Sequence, residues 1–195
     1  IGSGSTTPFN NAGLLVKSVG VGVSSIFAPF NNTGTVEVRT GTLHFGLQFV
    51  QSAGETILNG GNITTASSLT PRLNGGRLRG TGSIGTGLNN AGGIVEPGFS
   101  SGAITVNGAY TQGASGSLEI EIGGLTPITE HDQLIVTGVA TLGGTLEVRF
   151  LNGFTPTVGD SFTVVVAGSR SGIFDDRTFE GVPSHIEVGV NTTPT

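Results

Sequence analysis

Residues 58–63 read Leu-Asn-Gly-Gly-Asn-Ile, and fifteen positions later residues 73–78 read Leu-Asn-Gly-Gly-Arg-Leu. Glycine and asparagine accept positive φ, so both Asn-Gly pairs predict sharp bends between short apolar segments. A second theme, Asn-x-Gly followed by aliphatic residues, occurs at residues 11–14, 32–36 and 90–94. A short strand and a glycine corner that recur along the chain are typical of a β-solenoid, in which successive turns stack on one another.

The segments between the corners alternate between apolar and polar residues. This pattern, clearest at residues 35–39, 117–122 and 145–150, predicts strands with one buried face and one solvent face. We expect an inward ladder made of Val36, Val38, Leu118, Ile120, Leu146 and Val148. The predicted corners are Asn59, Gly60, Asn74, Gly75, Asn107, Gly108, Asn152 and Gly153. The chain is therefore predicted to be all-β.

Composition supports this fold class and excludes several functions. Glycine accounts for 35 of 195 residues and only 11% are charged, which disfavours helices. The net charge of −5 argues against a nucleic-acid or anionic membrane partner, because such surfaces need clustered basic residues. No apolar run approaches the roughly 18 residues of a membrane-spanning helix, so we expect no membrane insertion. An antiparallel β-sandwich or jelly roll remains the alternative, since its strands recur at similar intervals.

Several segments resemble the repeats of one family. Residues 32–38 and 58–61 resemble the β-helix repeats of bacterial autotransporter passengers and related secreted surface proteins. Residues 132–138 (Asp-Gln-Leu-Ile-Val-Thr-Gly) and 140–148 resemble the last rungs of those passengers. The same order continues through residues 154–156, 159–165 and 172–174. The resemblance implies a right-handed parallel β-helix, located outside the cell or on its surface, that serves as a stalk, adhesin or fibre.

We predict a single folded domain with short flanking segments. Residues 1–13 are predicted to be a flexible lead-in, residues 14–190 one β-solenoid domain, and residues 191–195 a polar tail. The passenger-like rungs occupy about residues 115–190.

Residues that could carry chemistry are few. Glu119 and Glu121 lie two apart and so share one strand face, and Glu130 precedes the pair His131–Asp132. These three glutamates are the candidates for a rival function, a carbohydrate-active β-helix enzyme. Outward strand positions, however, need polar residues in any case. We therefore expect no enzymatic activity.

The sequence also predicts no metal and no cofactor. His44, His131 and His185 lack the spacing of a metal site. Asp175–Asp176 belongs to no calcium-loop motif, and cysteine is absent. Residues 80–85 fit Gly-x-Gly-x-x-Gly, but a phosphate site needs a helix after the motif, so we interpret it as a turn.

The function predicted from these observations is structural. We expect a non-enzymatic extracellular component of a surface fibre or stalk. It would associate with itself head to tail, because no charged helical cap precedes residue 14 and open strand edges accept further strands. The alternative is an adhesin that binds surface or matrix glycans, for instance through Arg77 and Arg79, which share a strand face. Asn31, Asn62 and Asn191 fit the Asn-x-Ser/Thr pattern of glycosylation acceptors.

Overall fold

A computed structural model describes residues 6–182, 187 and 189–190. The described residues form nineteen strands and no helix, so the all-β prediction is confirmed. The strands are β1 Phe9–Asn11, β2 Leu14–Lys17, β3 Val23–Ile26, β4 Phe30–Asn32, β5 Thr35–Val38, β6 Thr42–Phe45, β7 Phe49–Gln51, β8 Glu55–Thr65, β9 Arg72–Leu73, β10 Arg77–Ile84, β11 Leu88–Asn90, β12 Ile94–Pro97, β13 Ala103–Val106, β14 Tyr110–Gln112, β15 Ser117–Ile122, β16 Gln133–Leu142, β17 Thr145–Phe150, β18 Val165–Gly172 and β19 Asp176–Glu180.

The pairings sort these strands into three stacks. The first stack holds β1, β4, β7, β9, β11, β14 and the later halves of β16 and β18. The second holds β2, β5, the first halves of β8 and β10, then β12, β15, β17 and β19. The third holds β3, β6, the later halves of β8 and β10, β13, and the first halves of β16 and β18.

All eighteen pairings between the named strands are parallel. Each strand pairs with the strand one turn of chain later, as Phe9 does with Phe30 and Phe30 with Phe49. The chain thus visits the three stacks in rotation, an arrangement consistent with a β-solenoid. Parallel pairing favours this arrangement over the antiparallel sandwich or jelly roll, whose neighbouring strands run in opposite directions.

The core lies between the stacks and is built from the predicted alternation. Val36, Val38, Leu118, Ile120, Leu146 and Val148 are each at most 5% exposed. Aromatic rings also stack along the first stack, with ring centroids 5.2 Å apart for Phe9 and Phe30 and 5.7 Å for Phe30 and Phe49. Like side chains of successive turns thus pack against one another and fill the interior of the stack.

A polar ladder runs through the same interior. Asn11 Nδ2 donates to Asn32 Oδ1 at 2.8 Å, and Asn32 Nδ2 donates to Gln51 Oε1 at 3.1 Å. Thr56 Oγ1 also donates to Gln51 Oε1, at 2.6 Å. These buried amides satisfy one another and nearby backbone carbonyls, as buried polar groups must.

The Asn59–Gly60 corner lies inside a continuous strand. β8 crosses from the second stack to the third, and its alternation of buried and exposed residues breaks at this pair. Gly60 has φ +89°, which a residue with a side chain rarely adopts. Gly61 must also lack a side chain, because a Cβ there would lie 2.5 Å from Val38 Cγ1. The bend lets one strand serve two stacks.

The other predicted corners lie between strands. Asn74 and Gly75 separate β9 from β10, Asn107 and Gly108 separate β13 from β14, and Asn152 and Gly153 follow β17. The backbone turns with positive φ at Gly108, Asn152 and Gly153. In the repeat at residues 73–78 the positive φ falls on Gly76, one residue after the predicted pair Asn74–Gly75.

The folded chain begins earlier than predicted. Phe9–Asn11 is a strand paired with Phe30–Asn32, so the lead-in assigned to residues 1–13 is too long. The prediction relied on apolar–polar alternation, which Phe-Asn-Asn lacks, whereas the identical triplet at both positions marks them as equivalent. Asn191, His185 and the polar tail 191–195 lie outside the described residues. Within the described part of the chain no helix is long and apolar enough to cross a membrane.

Candidate functional site

Several outward carboxylates of the second stack are tied to arginines. Arg77 Nη1 lies 2.5 Å from Glu96 Oε2 and 2.5 Å from Glu119 Oε2. Burial acts to lower the pKa of Arg77, but its hydrogen bonds with Glu119 and Glu96 raise that pKa above the ordinary value. Arg79 pairs with Glu55. Both arginines of the predicted glycan-binding pair therefore already bind carboxylates of the chain.

Glu121 shares the outward face with Glu119 but has a weaker partner. Its Oε1 lies 3.6 Å from Arg149 Nη1. Burial raises the pKa of Glu121, and the charge of Glu96 raises it further, while Arg149 opposes both effects. A half-buried carboxyl with a raised pKa is the kind of group that donates a proton in catalysis. The residues around Glu121 therefore bear on the choice between a structural protein and a carbohydrate-active enzyme.

Asp132 is the neighbour of Glu121. Its side chain is 0% exposed, and its Oδ2 accepts a hydrogen bond of 2.8 Å from the Glu121 backbone N–H. Burial raises the pKa of Asp132 to about 8, and the charge of Glu121 adds to the effect. Oδ1 has no hydrogen-bond partner among the described residues. Because this carboxyl is sealed from solvent, no substrate reaches it, and its bond to β15 is structural.

The third candidate, Glu130, bonds within its own loop. Its Oε2 accepts from the Thr126 backbone N–H at 2.8 Å, and hydrogen bonds with Thr126 lower the pKa of Glu130. His131 beside it is 1% exposed, and its ring meets Phe162 edge-on at 5.6 Å between centroids. The triplet at 130–132 therefore anchors a loop, with one member outside and two inside.

The remaining predicted polar residues also have structural partners. His44 Nδ1 lies 3.0 Å from Thr64 Oγ1, and Asp175 Oδ2 accepts from the Gly144 backbone N–H at 2.6 Å. Asn31 is exposed and donates to Asn10 Oδ1, whereas Asn62 accepts from the backbone N–H and hydroxyl of Ser83. Over the described residues, no group of three or more His, Cys, Asp or Glu side chains is placed to hold a metal ion.

The first turn of the chain exposes apolar side chains on its outer face. Leu14 is in register with Thr35 and Glu55, and Val23 with Thr42 and Asn62, so apolar residues stand where later turns are polar. The outer apolar face comprises Leu14, Val19, Val21, Val23 and Phe27, each between 61% and 89% exposed. Large exposed apolar side chains concentrated in one turn are candidates for an interaction surface.

The interior of the first turn shows the opposite substitution. Lys17 is in register with Val38 and Leu58, which are core residues, and yet is only 8% exposed. Its Nζ donates to the carbonyls of Val19 and Gly20 at 3.3 Å and 3.0 Å. A charged residue that points inward is one way in which proteins protect the edge of a sheet.

Two arginines of the last described turn also align with core positions, although their side chains are exposed. Arg170 is in register with Ala140, and Arg177 with Leu146, both buried residues. Arg170 Nη1 donates to Gly172 O and Arg177 Nη2 to Phe174 O. We call Lys17, Arg170 and Arg177 the end cations. Alternation did not predict them, because only the register shows that these positions align with core residues.

Comparison of the chain with protein-family models, curated proteins and solved structures found no match. The resemblance to autotransporter passengers therefore stays a prediction from the residues.

Proposed function

We propose that the chain is a right-handed β-solenoid and a non-enzymatic structural component of an extracellular fibre or stalk. The observation that carries this proposal is the unbroken stacking of turns. Eight strands follow one another in the second stack. At about 4.8 Å between neighbouring strands they span about 34 Å along the stacking direction. A core continuous over that length suits a load-bearing spacer.

The carboxylates support a structural role over the rival carbohydrate-active enzyme. A glycosidase needs two carboxyl groups that flank a bound sugar, one as acid and one as base or nucleophile. Glu119 is bound by Arg77, Asp132 is sealed from solvent, and Glu130 bonds within its own loop. These three carboxyl groups are therefore not poised to act with Glu121 as a catalytic pair.

Self-association through the first turn is part of the proposal. The outer apolar face would be covered by the same face of a second copy, since a two-fold contact makes one patch serve both partners. The head-to-tail polymer expected from the sequence is less favoured. Continuing the stacks from one copy into the next would bury the end cations Lys17, Arg170 and Arg177 in one core, and unpaired buried charges are costly.

Sedimentation velocity and electron microscopy of the purified chain test the proposal. We expect dimers or larger particles that dissociate to monomers in the double variant Leu14→Lys/Val23→Lys. Val158→Lys is the matched control, because Val158 is 95% exposed in a loop outside the first turn. A wild-type chain that stays monomeric at high concentration would contradict self-association. Hydrolysis of any polysaccharide, lost in Glu121→Gln, would contradict the structural function itself.

Two further measurements address the handedness and the location. An experimental density map of the chain, at a resolution that shows side chains, gives the hand of the coil. Antibody labelling of intact source cells, compared with permeabilised cells, reports surface exposure. Labelling that appears only after permeabilisation would refute an extracellular role.

A further inference from the structure

A groove of about 400 Å³ runs along the outer side of the first stack. It lies away from the outer apolar face and from the carboxylates of the second stack. Polar side chains line it: Gln48, Thr70, Arg72, Thr86, Asn89 and Thr111. Such a lining suits a polar ligand, because an apolar ligand would leave Arg72, Asn89 and Thr111 without partners.

Three of these residues form a straight outward row. Asn89 is in register with Arg72 on one side and with Thr111 on the other, so they occupy three consecutive turns. Neighbouring strands lie about 4.8 Å apart, and the row therefore spans about 10 Å. Among the described residues, none of the three side chains has a hydrogen-bond partner.

The same row behaves differently at its two ends. Asn31 donates to Asn10 at 2.9 Å, and Ser171 donates to Thr141 at 3.1 Å. Polar neighbours in register thus bond to each other wherever the row is not part of the groove. Within the described part of this row, the groove is where amide, hydroxyl and guanidinium groups are left available to a ligand.

Arg72 is distinctive among the basic residues. The chain has eight Lys and Arg residues, and all of them lie in the part that the structure describes. Seven of these bind a carboxylate or a backbone carbonyl: Lys17, Arg39, Arg77, Arg79, Arg149, Arg170 and Arg177. Arg72 does neither within the described residues, and its planar fork of donors points to an anionic partner such as a carboxylate.

One wall of the groove is fixed in advance. Gln48 Nε2 donates to Thr70 O at 2.9 Å, and Thr65 Oγ1 donates to Leu69 O at 2.6 Å, which pins the loop between β8 and β9. Gly87 and Ala109 also line the groove, and their small size leaves room in it. A groove that keeps its shape without a ligand loses less conformational entropy when one binds.

We propose that this groove binds an anionic oligosaccharide, with Arg72 paired to an acidic group and Asn89 and Thr111 bonded to ring hydroxyls. A chain of sugars offers hydroxyl groups at regular intervals, which matches a row of side chains on successive turns. A polyphosphate such as nucleic acid does not match, because one cation on a chain of net charge −5 cannot neutralise a continuous phosphate backbone. This inference goes beyond the structural role and does not depend on it.

The test is a titration of the ¹⁵N-labelled chain with three hexasaccharides at low salt. The probes are hexagalacturonate, its fully methyl-esterified form and a sulfated hexasaccharide. We expect the side-chain amide signals of Asn89 to shift with an anionic probe. Replacement Arg72→Gln is expected to weaken binding at least about tenfold, because a charge-assisted contact is lost. Arg39→Gln removes the same charge from a distant exposed site and is the matched control.

Each outcome decides the proposal. Binding lost in Arg72→Gln and kept in Arg39→Gln supports it, and the preferred anionic probe tells a carboxylate from a sulfate. The proposal is overturned if neither anionic probe binds at millimolar concentration. It is also overturned if the methyl ester binds as tightly as hexagalacturonate. An equal loss in both variants also overturns it, since only net charge would then matter. Asn89→Ala, which keeps every charge, is expected to weaken binding about threefold to tenfold.

Discussion

The first turn and the turn stacked on it have the same backbone pairing but differ in which positions carry polar side chains. In β5, Val36 and Val38 point into the core while Glu37 lies outside. In β2, the neighbouring strand of the same stack, Leu14 lies outside and Lys17 occupies the inward position next to Val38. Both strands keep full hydrogen-bond register. The backbone hydrogen bonds therefore form whether an inward position carries an apolar or a charged residue. The neighbouring side chains in the stack decide which residue is accommodated.

The largest effect is expected where the first turn's residue is moved one turn further into the stack. Val38→Lys places an ammonium group in a site that is 0% exposed and in register with Lys17 on one side and Leu58 on the other. An unpaired buried charge should lower the free energy of unfolding by about 4 kcal/mol or more. Urea denaturation followed by circular dichroism measures the loss. A loss below about 1 kcal/mol would show that the second turn accommodates a buried charge as readily as the first.

The second prediction concerns the buried Asp132. The pKa of this carboxyl rises from 3.8 to about 8 on folding because of burial, so the folded chain holds a proton that the unfolded chain has released. Between these two values the free energy of unfolding must fall as the pH rises. From about pH 5 to pH 7 we expect a fall of about 2 to 3 kcal/mol from this group.

The matched variant for this prediction is Asp132→Asn, which cannot ionise. Its unfolding free energy should lack the fall, so the urea midpoints of wild type and variant should diverge as the pH increases. Parallel curves over the same range would mean that Asp132 does not titrate in this window.

The polar ladder offers a third test. Asn32→Ala removes the middle amide, so Asn11 and Gln51 each lose one buried side-chain hydrogen bond, at an expected cost of about 2 kcal/mol. Asn11→Ala removes the end amide and leaves a single partner, so about 1 kcal/mol is expected. If chemical denaturation gave the same loss of unfolding free energy for both variants, the number of hydrogen-bonded neighbours would not determine the stability that each amide contributes.

The smallest effect on stability is expected at Lys17. Lys17→Leu restores an aliphatic residue to the inward position, so we expect a change in unfolding free energy within about 1 kcal/mol.

The end cations should affect the assembly state more than they affect stability. In the triple variant Lys17→Leu/Arg170→Leu/Arg177→Leu no end cation remains, and we expect filaments by electron microscopy. Dispersed particles from a folded triple variant would show that the end cations do not prevent head-to-tail stacking.

Part of this fold was predictable because some signals are local. Alternation in residues 117–122 and 145–150 gave the inward ladder correctly, since strand side chains alternate whatever their partners are. The burial of Lys17 was not predictable in this way. It depends on the register with Val38, which the sequence does not contain in local form.

The candidate sites were harder to predict for the same reason. Asn32 was interpreted as part of a turn motif, whereas it lies in a buried ladder whose other members, Asn11 and Gln51, come from other turns. The groove depends on bringing Arg72, Asn89 and Thr111 into one row, and the intervals between them are unequal. A pattern of fixed period would not have aligned them.

The stacking of turns has a mechanical consequence. A turn such as Phe9 to Phe30 advances the stack by about 4.8 Å, yet the same twenty-one residues reach about 70 Å when extended. Tension along the stacking direction loads the hydrogen bonds between all successive turns in series, and the weakest of these contacts opens first. Under load the chain would peel turn by turn, lengthen about fifteenfold over each released turn, and dissipate work as an extensible tether.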